Sequence, residues 1–207
     1  MEASGTAKRH APATQRNRDA ILEVLREVLP PGNILEIASG TGEHAVHFAR
    51  HLEAHRWQPT DPSDEATASI AAHAAEAGLS NLAEPGRLDV HAADWLPWAR
   101  DLAAIVCINM VHIAPWSAAE ALFAGAARHL PTDGTLVLYG PYRFHGAFTA
   151  ASNEAFDRRL RSEDPAWGVR DVDELDALAA RHAYGRVRTD ALPANNHVLV
   201  YRRRAAA

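Results

Sequence analysis

Between residues 33 and 139, short apolar runs and helix-periodic stretches take turns, save for the gap between 90 and 102, and that alternation restricts the chain to few folds. The apolar runs fall at 33–38, 57–60, 87–90, 102–109 and 135–139. The run at 102–109 is nearly all apolar, as a parallel strand covered on both faces must be. Helical periodicity marks 43–52, 64–77 (closed by Gly78) and 117–130 (ended by Pro131-Thr132-Asp133-Gly134). The pattern predicts a parallel, doubly wound α/β sheet.

The ends of the chain depart from this rhythm. Residues 19–29 repeat Ile21, Leu22, Val24, Leu25 and Val28 at helical spacing and stop at Pro30-Pro31-Gly32. Residues 1–18 are expected to be a flexible segment able to serve as a lid. Two further helices are predicted at 153–162 and 172–180, then strands at 186–189 and 197–202. The link 191–196 is too short for a crossover helix, so these two strands should pair antiparallel. One domain, 19–202, is expected, with 203–207 as a solvated tail.

Composition removes several function classes. With 207 residues, 47% hydrophobic and 23% charged, the chain suits one globular domain. A formal net charge of −5 argues against a nucleic-acid partner, and Arg202-Arg203-Arg204 is the sole basic run. The single cysteine, Cys107, lies in an apolar run and reads as a buried, inert thiol. No stretch approaches the roughly 18 apolar residues of a membrane span, and residues 1–19 lack an apolar signal core. A cytoplasmic location is expected; the oligomeric state is open.

The stretch after the first strand carries the chemistry. Gly40-Thr41-Gly42-Glu43-His44-Ala45 fits G-x-G-x-x-A, a fingerprint associated with dinucleotides. The glycines do not choose between cofactors, and Asp61 after the second strand can accept from ribose hydroxyls in either case. Glu36 does discriminate: a carboxylate there repels pyrophosphate but can hold the charged amino acid end of S-adenosylmethionine (SAM). Asp89 after the third strand can accept from an adenine amino group. An antiparallel terminal pair is also not the usual ending of a dinucleotide fold.

Glu36-Ile-Ala-Ser-Gly-Thr-Gly42, Asp61, Asp89-Val90 and the strand 104–109 together resemble the class I SAM-dependent methyltransferases over roughly residues 15–202. That resemblance implies a Rossmann-like sandwich with a seven-stranded, mostly parallel sheet of order 3-2-1-4-5-7-6, the last strand antiparallel. More narrowly, ATQRN (13–17), residues 36–45, CINMVHIAPW (107–116), YGPY (139–142), WGVRD (167–171) and PANN (193–196) are similar to the family catalogued as domain of unknown function 938. The resemblance implies that Ser39, Gly40, Thr41 and Gly42 pass under the methionine part of SAM and that Asp61 takes the ribose. It further implies Asp89 and the Val90 backbone at the adenine, and Asn109 and Met110 beside the sulfonium. Ala38 stands where many class I enzymes have glycine.

The methyl acceptor belongs on the same edge. His112, three residues beyond Asn109, is the leading candidate for a general base, and a hydrogen-bonded structural histidine is the alternative. Tyr139 and Tyr142 supply hydroxyls or aromatic packing. Arg143 and His145 are weaker candidates for meeting an acidic acceptor. By resemblance, Arg16 and Asn17 hold a carboxylate of cofactor or substrate from the lid, and Asn153, Trp167, Arg170 and Asn195 wall the acceptor pocket. His44, His47, His51 and His55 form a stripe on the helix 43–52 that reads as mostly solvent-facing, and no metal site is expected. His44, in the first turn of that helix, is placed to touch the cofactor.

The reading is a SAM-dependent methyltransferase of a small molecule, releasing S-adenosylhomocysteine. A catalytically silent SAM-binding protein and an NAD(P)-dependent oxidoreductase are the alternatives.

Overall fold

A computed structural model describes residues 8–95 and 97–203. Helix α1 (Pro12–Val28) starts with Pro at its first turn, where the missing N–H costs nothing and φ is already helical. It stops before Pro30-Pro31, which bar a further turn. The alternating block follows as β1 (Gly32–Ile37), α2 (Glu43–His51), β2 (His55–Asp61), α3 (Asp64–Ala77), β3 (Gly86–Arg87), β4 (Leu102–Ile108), α4 (Trp116–His129) and β5 (Thr135–Pro141). A ribbon of β6 (Arg143–Phe144) and β7 (Ala147–Phe148) precedes α5 (Ala151–Glu163) and α6 (Val172–Arg181). Strands β8 (Tyr184–Leu192) and β9 (Asn196–Arg203) close the chain.

The seven-stranded sheet runs β3-β2-β1-β4-β5-β9-β8, with β9 antiparallel to both neighbours. This is the expected order, the ribbon β6–β7 lying in a separate sheet. Strand parity assigns the faces. Leu35, Ile37, Ile105, Cys107 and Leu138 pack with Leu122 and Phe123 of α4 and Leu175 and Leu178 of α6. Ile34, Val106, Val137 and Val200 pack with Ile21 and Leu25 of α1 and Phe48 of α2.

Several boundaries differ from expectation for local reasons. Residues 12–18 are not a flexible segment but the first turns of α1, and Thr14 is already buried beneath them. Residues 1–7 and 204–207, parts of the expected lid and tail, lie outside the described residues. Arg202 ends the expected strand, and Arg203 also belongs to β9 rather than to the tail. The third strand is only two residues long. After Arg87 the chain bends, Leu88 N–H still reaching the Asp61 carbonyl at 3.2 Å, and residues 88–90 leave the sheet. His47 is buried against α1, and its Nε2 lies 3.0 Å from Asp19, so the histidine stripe does not simply face solvent.

Gly125 in α4 tests the packing against two opposed effects. Alanine gains about 1 kcal/mol of helix propensity there. However, its Cβ would fall 2.0 Å from the ring of Trp95, which is fully buried and has nowhere to move. Overpacking of that kind costs about 1–3 kcal/mol. Gly125→Ala should therefore lower stability in denaturant titration, and a stabilised variant would show that Trp95 is loosely held.

Candidate active site

The loop between β1 and α2 carries an unusual density of left-handed backbone. Ala38, Gly40 and Gly42 have φ of 56°, 60° and 89°. For glycine this is free, whereas the Ala38 methyl group makes it cost roughly 1 kcal/mol. Four backbone donors fix the path. Ser39 N–H bonds the Thr60 carbonyl at 2.8 Å and Gly42 N–H bonds the Ser39 carbonyl at 3.1 Å. Asp61 accepts from Gly40 N–H through Oδ2 and from Ser63 N–H through Oδ1, each at 3.0 Å. The two glycines differ in purpose. A Cβ on Gly42 would lie 2.7 Å from Ile70 Cα, so this glycine lets α2 and α3 approach, whereas Gly40 faces open space.

Carboxylates surround this loop. Glu36 projects from β1 to the α1/α2 side and is 1% exposed beneath the loop, accepting from Trp57 Nε1–H at 2.6 Å. Burial pushes its pKa up to about 7, against the lowering effect of the Trp57 and Ser39 bonds. Glu43, in the first turn of α2, accepts from Ala11 N–H at 2.8 Å and Thr41 Oγ1–H at 3.1 Å and meets His10 at 3.0 Å. Burial opposes its ionisation, but those bonds prevail and leave its pKa lowered. Asp89 accepts from His91 N–H and pairs with the His91 ring, both at 2.9 Å, and the backbone bond is the main cause of its lowered pKa. Residues 8–11 are tied down here as well, with Arg9 N–H on Ser69 Oγ at 2.9 Å.

Two cavities meet at the end of β4, and Ala38 of the loop lines one of them. One, of about 200 Å³ on the α4 face, is walled by Ile37, Ala38, Leu88, Val90, Met110 and Ala114, with Asp89 at its edge. Among the described residues no lysine or arginine lines it. The other, of about 400 Å³ on the α1 face, is formed by Asn17, Asn109, Ile113, Tyr139, Asn153 and Phe156, with Arg159 and Asn196 also present. Asn109 and Met110 are consecutive residues after β4, yet each lines a different cavity. Asn109 turns the chain there at φ 63°, a conformation asparagine tolerates better than most.

Asn17, Asn109, Tyr139 and Asn153 are thus gathered at one cavity and Asp89, Val90 and Met110 at the other, while Glu36, Ser39, Gly40, Thr41, Gly42 and Asp61 lie in or under the loop and line neither. His112 departs from its expected catalytic place. It is 0% exposed, its Nδ1 accepts Arg170 N–H at 3.2 Å, and its Nε2 is enclosed. A Cβ on Gly140 would meet that Nε2 at 2.4 Å, so β5 itself seals the ring. Burial drives the His112 pKa down to about 3, which leaves a neutral ring without access to solvent. Tyr142 packs edge-on against it, fully buried.

Arg170 is equally committed, donating to the carbonyls of Val111, Ala114 and Ala166 at 2.7–2.8 Å. Trp167 does not line either cavity, and Arg16 is exposed on α1. Asn195 is exposed, its carbonyl holding Asn153 Nδ2 at 2.8 Å. His145 sits in the ribbon turn on Asp173 at 2.8 Å, and Arg143 is 3.9 Å from Glu174. His44 Nε2–H donates to Asn17 Oδ1, 2.9 Å away, and so orients that side chain. Sequence reasoning missed Glu43, Phe156 and Arg159; the last two form an exposed-looking i, i+3 pair whose role depends on what α5 faces.

The sheet order and the glycine loop at its carboxyl edge define the fold of the class I methyltransferases. Solved structures agree. SibL, an S-adenosylmethionine-dependent methyltransferase in its apo form, superposes with a TM-score of 0.77 at 16% identity, covering 93% of this chain and 56% of its own. A putative O-methyltransferase from Nostoc punctiforme gives 0.80 at 15% identity, with 93% and 57% covered. The YcgJ protein from Bacillus subtilis gives 0.70 at 15% identity, with 93% and 100% covered. This chain therefore spans a little over half the length of SibL and of the Nostoc protein. Within that fold, the chain belongs to the family described as protein of unknown function (DUF938), which matches residues 8–203. Among the described residues no helix is long and apolar enough to cross a membrane.

The buried groups give stability a pH dependence of two signs. The proton on Glu36 is held more tightly in the folded state than at the ordinary carboxyl value of 4.5, so its contribution is full below 4.5 and is lost as pH rises through about 7. Burial lowers His44 and His47 to about 4 and His112 to about 3, so their contribution is full above 6.5 and is lost as pH falls through those values. Glu36→Gln should stabilise the protein at pH 8 relative to pH 5 by on the order of 3 kcal/mol more than the parent chain shows. Denaturant titration at both pH values reads this, and an identical difference in both proteins would remove Glu36 from the account.

Proposed function

We propose that the chain is a SAM-dependent methyltransferase acting on a small molecule. The observation that carries the reading is the pair of cavities divided between Asn109 and Met110, with Glu36, Glu43, Asp61 and Asp89 gathered around the loop beside them. Asp89 at the rim, and no lysine or arginine among the described residues that line the smaller cavity, favour a positively charged ligand over a pyrophosphate, which weighs against NAD(P). Ile37, Leu88, Val90 and Met110 offer apolar walls to a flat ring, and Asp89 offers an acceptor for an amino group at its rim. Asp61 retains lone pairs for ribose hydroxyls beyond those it gives Gly40 and Ser63. Open space at Gly40 admits a ligand against the backbone.

SAM would supply an electrophilic methyl group. The residues of this chain bind it, orient the acceptor beside Asn109 and exclude water, so catalysis rests on positioning.

Calorimetric titration with SAM, S-adenosylhomocysteine and NAD tests this directly: the first two should bind and NAD should not. Binding of NAD alone would defeat the proposal. Ala114→Trp, placed in the wall of the smaller cavity, should abolish SAM binding with the fold kept, as read by calorimetry and circular dichroism. Asp61→Asn should weaken SAM by at least about tenfold, because one acceptor oxygen is lost and with it either the Gly40 or the Ser63 bond that fixes the loop. Unchanged affinity in both variants would place the cofactor elsewhere.

A further inference from the structure

The larger cavity differs from the loop in charge and in chemistry. Asp89 edges the smaller cavity, whereas no Asp, Glu, His, Lys or Cys is among the described residues lining the larger one. Its one charged group is Arg159, whose guanidinium lies over the Phe156 ring at 5.1 Å and only 3.7 Å from Glu163. The remaining polar groups are asparagine amides and the Tyr139 hydroxyl.

Tyr139 is set as a donor. Asn17 Oδ1 faces His44 Nε2 at 2.9 Å, so the Asn17 amide group is the part turned to the phenol oxygen. That leaves the phenol proton free for a ligand. Burial raises the pKa of Tyr139, so it keeps its proton rather than acting as a base. His112 is sealed behind Gly140, as described, and cannot reach the cavity. Nothing in the lining can remove a proton from an acceptor, while Tyr139 and Arg159 can both receive negative charge. Ile113, Pro141 and Phe156 meanwhile present apolar surface.

We infer that the methyl acceptor is a small organic carboxylate with an apolar body, bound as the anion and methylated on a carboxylate oxygen. The inference rests on the methyltransferase reading above. The step balances without a base: a carboxylate lone pair forms the bond to the methyl carbon, and the carbon–sulfur bond breaks. Its electron pair cancels the sulfonium charge, and no proton leaves. A cation on one side and an anion on the other match the segregation of charge between the two cavities.

The test is calorimetry on the protein saturated with S-adenosylhomocysteine, titrated with benzoate, phenylacetate and cyclohexanecarboxylate and with the matching primary amides and amines. The carboxylates should bind at least about tenfold more tightly than their amides. Arg159→Gln should remove about tenfold of carboxylate affinity while leaving that for amides and for S-adenosylhomocysteine unchanged, and Arg159→Lys should keep part of it. Glu163→Gln, by freeing Arg159, should tighten carboxylates about twofold. Circular dichroism melting checks that these exposed sites leave the fold intact. Amides or amines binding as tightly as carboxylates would overturn the inference. So would an unaltered carboxylate affinity in Arg159→Gln, or no binding by any of the panel to the loaded protein. If neither SAM nor S-adenosylhomocysteine binds, the methyltransferase reading falls and this inference falls with it.

Discussion

The carboxylate of Asp61 holds the site together. It sits at the end of β2, is 7% exposed, and takes one backbone N–H from the glycine loop and one from the start of α3. Without those bonds, a loop with left-handed backbone at Ala38, Gly40 and Gly42 would have little reason to keep one path. With them, β1, β2, α2 and α3 meet at one point on the carboxyl edge. Gly42 makes the meeting close enough, since any side chain there would strike Ile70. The open backbone at Gly40 and the position of Ala38 in the cavity wall both follow from that clamp.

Around the clamp, the chain divides its charge. Glu36 is buried below the loop on Trp57, Glu43 is fastened to residues 10, 11 and 41, and Asp89 is held by His91. The larger cavity of the same edge is lined by amides, a phenol and a guanidinium instead. Such an arrangement suits two ligands of opposite sign brought together at the end of β4. The paired role of Asn109 and Met110 arises just past β4, where the left-handed turn at Asn109 leads into a 3-10 turn that begins at Met110, and the two side chains reach different cavities.

His112 shows how a sound chemical expectation can meet a different physical fate. Its position after β4 is where a base is useful, but the WGVRD segment folds back over it. Gly168 N–H bonds its carbonyl at 2.9 Å, Arg170 N–H takes its Nδ1, and the Arg170 side chain closes over the neighbouring carbonyls. Both residues act as a latch between the end of β4 and the approach to α6. Sequence adjacency gave no sign of this, because 58 residues separate the partners.

Much of the architecture was legible because local physics states it. Apolar runs alternating with helical periods dictate a parallel sheet, and the short link before β9 dictates an antiparallel end. The loop was legible from Gly40, Gly42 and the acids near it, since backbone freedom and charge are properties of residue type. Pro12 also carried the start of α1, a signal overshadowed by the polar residues around it. What only the tertiary structure decided is which side chains share a space. The burial of Glu36 and His112, the placing of Arg159 and Phe156 beside Tyr139, and the covering of His47 by α1 all depend on contacts between distant segments. Desolvation and pairing are set by those contacts, and they decide whether a titratable residue is a base, a donor or a strut.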